Sequence, residues 1–212
     1  FSTSDKVVTI GKFKSIDSDE YKAFVKAASK LRDSVVFGAV IDENLESAQI
    51  TVHKTFDEGK NDYEHTDFSE EAIGAFVEVS SIPIMDELSP ENYQRYIESG
   101  VPLGYYFYSS TEEYDLGNKV VKEVAKLHRG KINFVFLDAN KFGGHASVVN
   151  LKQEWPAFAI HIAQTNRKFP YELAKFEFEQ LKSFVQDFVE GKIEPSLKSE
   201  AIPESNSEPV KV

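Results

Sequence analysis

The chain has 212 residues, with 24 basic against 35 acidic side chains, a net charge of −11, and 17 Phe and 9 Tyr in its apolar content. That much apolar bulk can fill one large or two small cores. The acid excess speaks against nucleic acid as a partner, because nucleic acids are held by Lys and Arg on phosphates. The longest apolar runs, such as Phe134–Leu137, fall far short of the ~20 residues of a membrane span, so no membrane partner is expected. With no cysteine in the chain, there is no thiolate to exchange disulfides.

In chain order, Lys6–Phe13 reads as a strand. Asp17, Ser18 and Asp19 then cap a helix through Leu31, whose Tyr21, Phe24, Val25 and Ala28 follow the i, i+3, i+4, i+7 spacing of a buried face. Val35–Ile41 is a strand ending at Asp42, and Gln49–Phe56 and Asn61–His65 are two more. The turn Asp57-Glu58-Gly59-Lys60 joins that last pair as a hairpin. A helix over Ser69–Val79 stops short of Pro83, as proline bars helix from the residue before it. Ile84–Asp86 is strand-like, and Pro90–Ser99 is a helix with Ser89 as cap and Pro in its first position.

Val101–Tyr108 opens a second round of the same pattern, followed by a helix from Ser110 to His128 and the fully apolar strand Ile132–Leu137, closed by Asp138. The segment KFGGHASVVNLKQEW is long enough for an extra helix before the strand Ala157–Ile162. Lys168–Tyr171 and the helix Phe178–Glu190 complete the copy, and both closing helices carry a Phe-Val-Glu triplet. The halves are in register from Asp42 to Asp138 and differ by the short link ENLESA in the first. Pro, Ser, Glu and Lys dominate Ile193–Glu208, which reads as a linker. Because the first copy has only Phe1–Asp5 before it and the chain opens without Met, the sequence reads as an excerpt whose first module starts late.

The chain carries no recognisable catalytic pattern. The five histidines, His53, His65, His128, His145 and His161, show no metal-ligand spacing, and they read as ordinary surface or strand residues. Gly143-Gly144 lacks the Lys-Ser/Thr of a phosphate loop. Glu70, Glu71, Glu112 and Glu113 sit in first helical turns, where the helix dipole favours them. No catalytic residue, metal or cofactor is expected. Pro156 on its own residues reads as a trans proline at the first position of a strand.

Strand, helical crossover, X-Pro, strand is an order that resembles the core of the thioredoxin fold, in which that X-Pro bond is cis; the resemblance implies a cis Pro156. Two such modules in series without cysteine resemble the b and b′ domains of fungal protein disulfide isomerases. The match runs through KTFDEGKNDYE (Lys54–Glu64), SGVPLGYYF, RGKINFVFLDANKFGGHA and WPAFAIHI. FVEGKIEPSLKSEAIP (Phe188–Pro203) resembles the exit of b′ into its x-linker, and Glu208–Val212 resembles the first strand of an a′ domain. The implied architecture is α/β: two tandem thioredoxin-like modules, mixed sheets flanked by helices, the first truncated at its N-terminus. Residues 1–82 would be b, 83–192 b′, and 193–212 the linker and the start of a′.

The resemblance further implies a non-catalytic, substrate-binding and spacer region of an isomerase of the endoplasmic-reticulum lumen, its thiols held by flanking a and a′ domains. Its partners would be unfolded or partly folded polypeptides, bound in a hydrophobic pocket of b′. Carried over by position, the pocket would be walled by Leu88, Tyr93 and Ile97 of the first b′ helix, by Val148, Val149 and Leu151 of the crossover, and by Ala163 at the end of the next strand, with Val135 beneath. The alternative is a redox-inactive scaffold that recruits a partner chaperone, for which Asn166-Arg167-Lys168 is the one short cationic patch in an acidic chain.

Overall fold

Hydroxyl side chains start the helices where the sequence puts caps. Ser18 Oγ accepts from Tyr21 N at 3.2 Å, Ser69 Oγ from Ala72 N at 3.3 Å and Ser110 Oγ from Glu113 N at 3.2 Å; each occupies a helical N–H that would otherwise have no partner. The computed structural model describes residues 7–172 and 175–196; the expected a′ strand and most of the linker lie outside them. Contacts divide the chain between Ile84 and Met85 into two compact units.

The first unit runs β1 (Val7–Phe13), α1 (Asp19–Leu31), β2 (Val36–Ile41), β3 (Gln49–Lys54), β4 (Lys60–Asp62) and α2 (Glu70–Ser81), with sheet order β2-β1-β3-β4. β1 is parallel to β2 and antiparallel to β3, as a helical crossover followed by a return strand requires. The β3–β4 turn places Gly59 at φ 76, and Lys54 N bonds Gly59 O at 2.8 Å. Phe13, Phe24, Ile50, Val52, Ile73 and Val77 form its core.

The second unit runs β5 (Met85–Glu87), α3 (Pro90–Glu98), β6 (Leu103–Tyr108), α4 (Thr111–Leu116), a π-helical turn (Gly117–Val121), α5 (Lys122–Leu127), β7 (Asn133–Asp138), α6 (Ala139–Phe142), a 3-10 segment (Gly143–Val149), β8 (Ala157–Ile162), β9 (Arg167–Pro170) and α7 (Phe178–Val189). Its sheet order is β5-β7-β6-β8-β9, with β5, β7 and β6 parallel and β8 and β9 antiparallel. The Trp155–Pro156 bond is cis. β7-β6-β8-β9 repeats the first unit's β2-β1-β3-β4, so the internal repeat is real. Among the described residues the first unit has no counterpart of β5 and α3. Its β2 is therefore an edge strand, with Val40 47% and Ile41 43% exposed.

Two expectations change in detail. The helix expected from Ser110 to His128 widens at Gly117, where a Cβ would come within 2.5 Å of the Tyr106 ring and 2.6 Å of the Phe136 ring. Aligning the halves on Asp42 and Asp138 sets Phe37 against Asn133, yet these face opposite sides of their sheets. Phe37 packs on Phe24 of α1 at 5.6 Å, while Asn133 Nδ2 reaches Ser99 Oγ at the end of α3. Phe134, packed on Phe158 at 5.9 Å and so on the α7 side, is the equivalent of Phe37. The true offset differs by one residue, and one residue reverses every face.

Candidate functional site

The start of α3 is tied firmly to β5. Ser89 N bonds Asn92 Oδ1 at 2.8 Å, Asn92 Nδ2 donates to Glu87 O at 2.9 Å, and Tyr96 Oη donates to Asp86 Oδ2 at 2.8 Å. Leu88 N continues the ladder to Phe136 O at 2.9 Å. This places the first turn of α3 over the C-terminal end of β7, opposite the crossover that leaves it. Between them lies an apolar groove of about 380 Å³, lined by Leu88, Ser89, Pro90, Tyr93, Leu137, Phe142 and His145. Phe142 at its rim is 38% exposed.

Of the residues assigned to a pocket by resemblance, Leu88 and Tyr93 line this groove. Val135 and Val149 are wholly buried in the core, Leu151 is half-buried, and Val148 stands 42% exposed. Ile97 and Ala163 do not line it; at the far end of α3, Gln164 Nε2, from the residue after Ala163, donates to Ile97 O at 3.3 Å. Leu137, Phe142 and His145 were missed. Leu137 shares the face of Val135 by the two-residue period of a strand, and Phe142 and His145 are three residues apart in the crossover, so both signals were present in the sequence.

Behind the lining lies a cluster of buried rings with polar atoms. Tyr105 of β6 is wholly buried, its ring 5.1 Å from that of His145 and 6.4 Å from that of His161; Tyr93 lies 6.2 Å from His145. Burial first, and then the neighbouring His161, hold the His145 imidazole below its ordinary pKa. Burial likewise lowers that of His161, against a contact with Asn166 Oδ1 at 3.3 Å that favours its charged form. Burial pushes the Tyr105 phenol up. His161 is a strand residue of β8, as expected, at 7% exposed, whereas His128, just after α5, is 4% exposed and so a core residue rather than a surface one. Among the described residues no three His, Cys, Asp or Glu side chains are grouped to hold a metal.

A profile of the thioredoxin-like domain matches residues 13–187. The chain belongs to the thioredoxin-like family. This thioredoxin-like chain is 41% identical over 218 residues to a protein disulfide-isomerase of Aspergillus niger, covering 99% of itself and 42% of that protein. It is also 41% identical to a protein disulfide-isomerase of Humicola insolens, covering 43% of it. The chain thus spans less than half the length of these relatives. Among solved structures, the zinc-bound form of human ERp44 superposes with a TM-score of 0.64 at 22% identity, covering 98% of this chain and 63% of that one. The bb fragment of ERp72 superposes with a TM-score of 0.59 at 21% identity, covering 90% and 91%. At such identities the likeness is one of fold. The groove belongs to the second thioredoxin-like unit.

Proposed function

We propose that this chain is the redox-inactive b–b′ region of a protein disulfide isomerase of the endoplasmic-reticulum lumen, with residues 1–82 as b and 83–192 as b′. The second unit binds unfolded polypeptide, the first acts as a spacer, and flanking a and a′ domains supply the thiols. The observation that carries this reading is the apolar groove between α3 and the crossover of a cysteine-free thioredoxin-like unit; the names of its relatives support it. Burying one large apolar side chain there is worth about 1.5–3 kcal/mol. Two or three such insertions give roughly 5–8 kcal/mol gross, and once association costs are taken off, affinity lies between tens of micromolar and millimolar, about −4 to −6 kcal/mol. That weakness suits a foldase, whose client must leave once its own core is buried. The test is NMR titration of the chain with an unfolded apolar peptide. Shifts should cluster at Leu88, Tyr93, Phe142 and His145, and Phe142→Ala should weaken binding. Shifts confined to residues 7–81 would overturn the assignment.

A further inference from the structure

Three of the seven side chains that line the groove carry aromatic rings: Tyr93 of α3, and Phe142 and His145 of the crossover. Among the described residues Phe142 is the only phenylalanine that stands exposed. One apolar side chain in water is ordinary by itself; this one stands at the rim of a groove whose opposite wall carries a second ring. Tyr93 and His145 pack edge to face, their planes 84° apart and their centroids 6.2 Å apart, so both rings are held in place by contact. Burial keeps the His145 imidazole below its ordinary pKa, and it is an uncharged ring at neutral pH. No Lys, Arg, Asp or Glu lines the groove, so a charged side chain would lose its water there without gaining a partner.

We propose that the groove takes an aromatic side chain of the bound polypeptide, and that Phe142 and Tyr93 select it by their π systems rather than by bulk; this rests on the peptide-binding role given above. Ring faces are negative and ring edges positive, so aromatic pairs attract each other beyond the gain from buried area. A saturated ring of the same outline buries as much apolar surface and lacks that attraction. Leu88 and Leu137, the aliphatic part of the lining, do not distinguish the two. The client class is unfolded segments that carry Phe, Tyr or Trp. Folding takes such rings largely inside, so the contact is lost as the client folds.

The test uses two unfolded peptides that differ at one position, Phe in one and cyclohexylalanine in the other, titrated into the 212-residue chain by NMR. The Phe peptide should bind about two- to tenfold more tightly. In Phe142→Leu, a change at the exposed rim that leaves the core intact, this preference should shrink towards one. Tyr93→Leu should act in the same direction and serves as the second variant. Equal or tighter binding of the cyclohexylalanine peptide by the unmutated chain overturns the proposal, since bulk and apolar area would then decide. A preference for Phe that both variants retain in full overturns it too. Failure of the unmutated chain to bind either peptide at the groove would instead remove the peptide-binding role itself, and the selection with it.

Discussion

Gly117→Ala separates a local from a tertiary account of the helical segment after β6. Gly117 has ordinary helical angles, φ −56 and ψ −47, so on propensity alone alanine should stabilise by about 0.5–1 kcal/mol. The added methyl, however, would lie 2.5 Å from Tyr106 Cε1 and 2.6 Å from Phe136 Cε1. Neither ring is free to recede: the Tyr106 hydroxyl donates to Glu113 O at 2.7 Å, and Phe136 packs on Tyr114 with ring centroids 4.5 Å apart. Overpacking of this kind costs about 1–3 kcal/mol, so the net effect should be a destabilisation of about 1–2 kcal/mol. Trp155 is the single tryptophan and stacks on Phe107 in the second unit, centroids 5.4 Å apart, so its fluorescence reports that unit alone. With a urea m-value of about 1–3 kcal/mol/M, the midpoint should fall by roughly 0.5–1 M. Peptide affinity of the folded variant should not change, because Tyr106 and Tyr105 point to opposite faces of β6. A midpoint equal to or above that of the unmutated chain would refute the packing argument.

Acid should weaken the second unit before its carboxylates titrate. His128, His145 and His161 are held below their ordinary pKa mainly by burial, so below about pH 6.5 the unfolded chain binds more protons than the folded one. Their contribution is present above that pH and is lost as pH falls through it. Glu87, whose carboxyl is pushed up by burial, acts in the opposite sense at lower pH. The Trp155 urea midpoint should therefore drop between about pH 7.5 and pH 5.5; a flat or rising midpoint contradicts the buried neutral histidines. Tyr96→Phe removes a hydroxyl bonded to the Asp86 carboxylate at 2.8 Å from a phenol that is 1% exposed. It should cost about 1.5 kcal/mol and speed amide exchange in α3, and unchanged exchange there would show that this bond does not anchor the helix.

Much of this protein could be read along the chain because the features concerned are local. Ser18, Ser69, Ser89 and Ser110 mark helix starts by what a nearby hydroxyl can do for unpaired N–H groups, and the Asp57–Lys60 turn makes its hairpin from four consecutive residues. The doubled order of strands and helices, and the missing thiols, are likewise visible in one dimension. The face of a strand is not local when both of its faces are apolar: nothing between Val35 and Ile41 says that Phe37, rather than Phe37's neighbours, meets Phe24, so alignment on the two aspartates slipped by one residue. The π-helical turn arises from two rings on other strands pressing on Gly117, which no helical period can announce. The groove is the clearest case. Ile97 lies one helical turn beyond Tyr93, about 6 Å along α3, enough to carry it out of the site. Phe142, His145 and Leu137 enter the groove because the crossover folds back over the end of β7 to meet the first turn of α3. Tyr105 comes to lie behind His145 because β6 runs beside β7 in the sheet, a juxtaposition of residues far apart in the chain that packing alone decides.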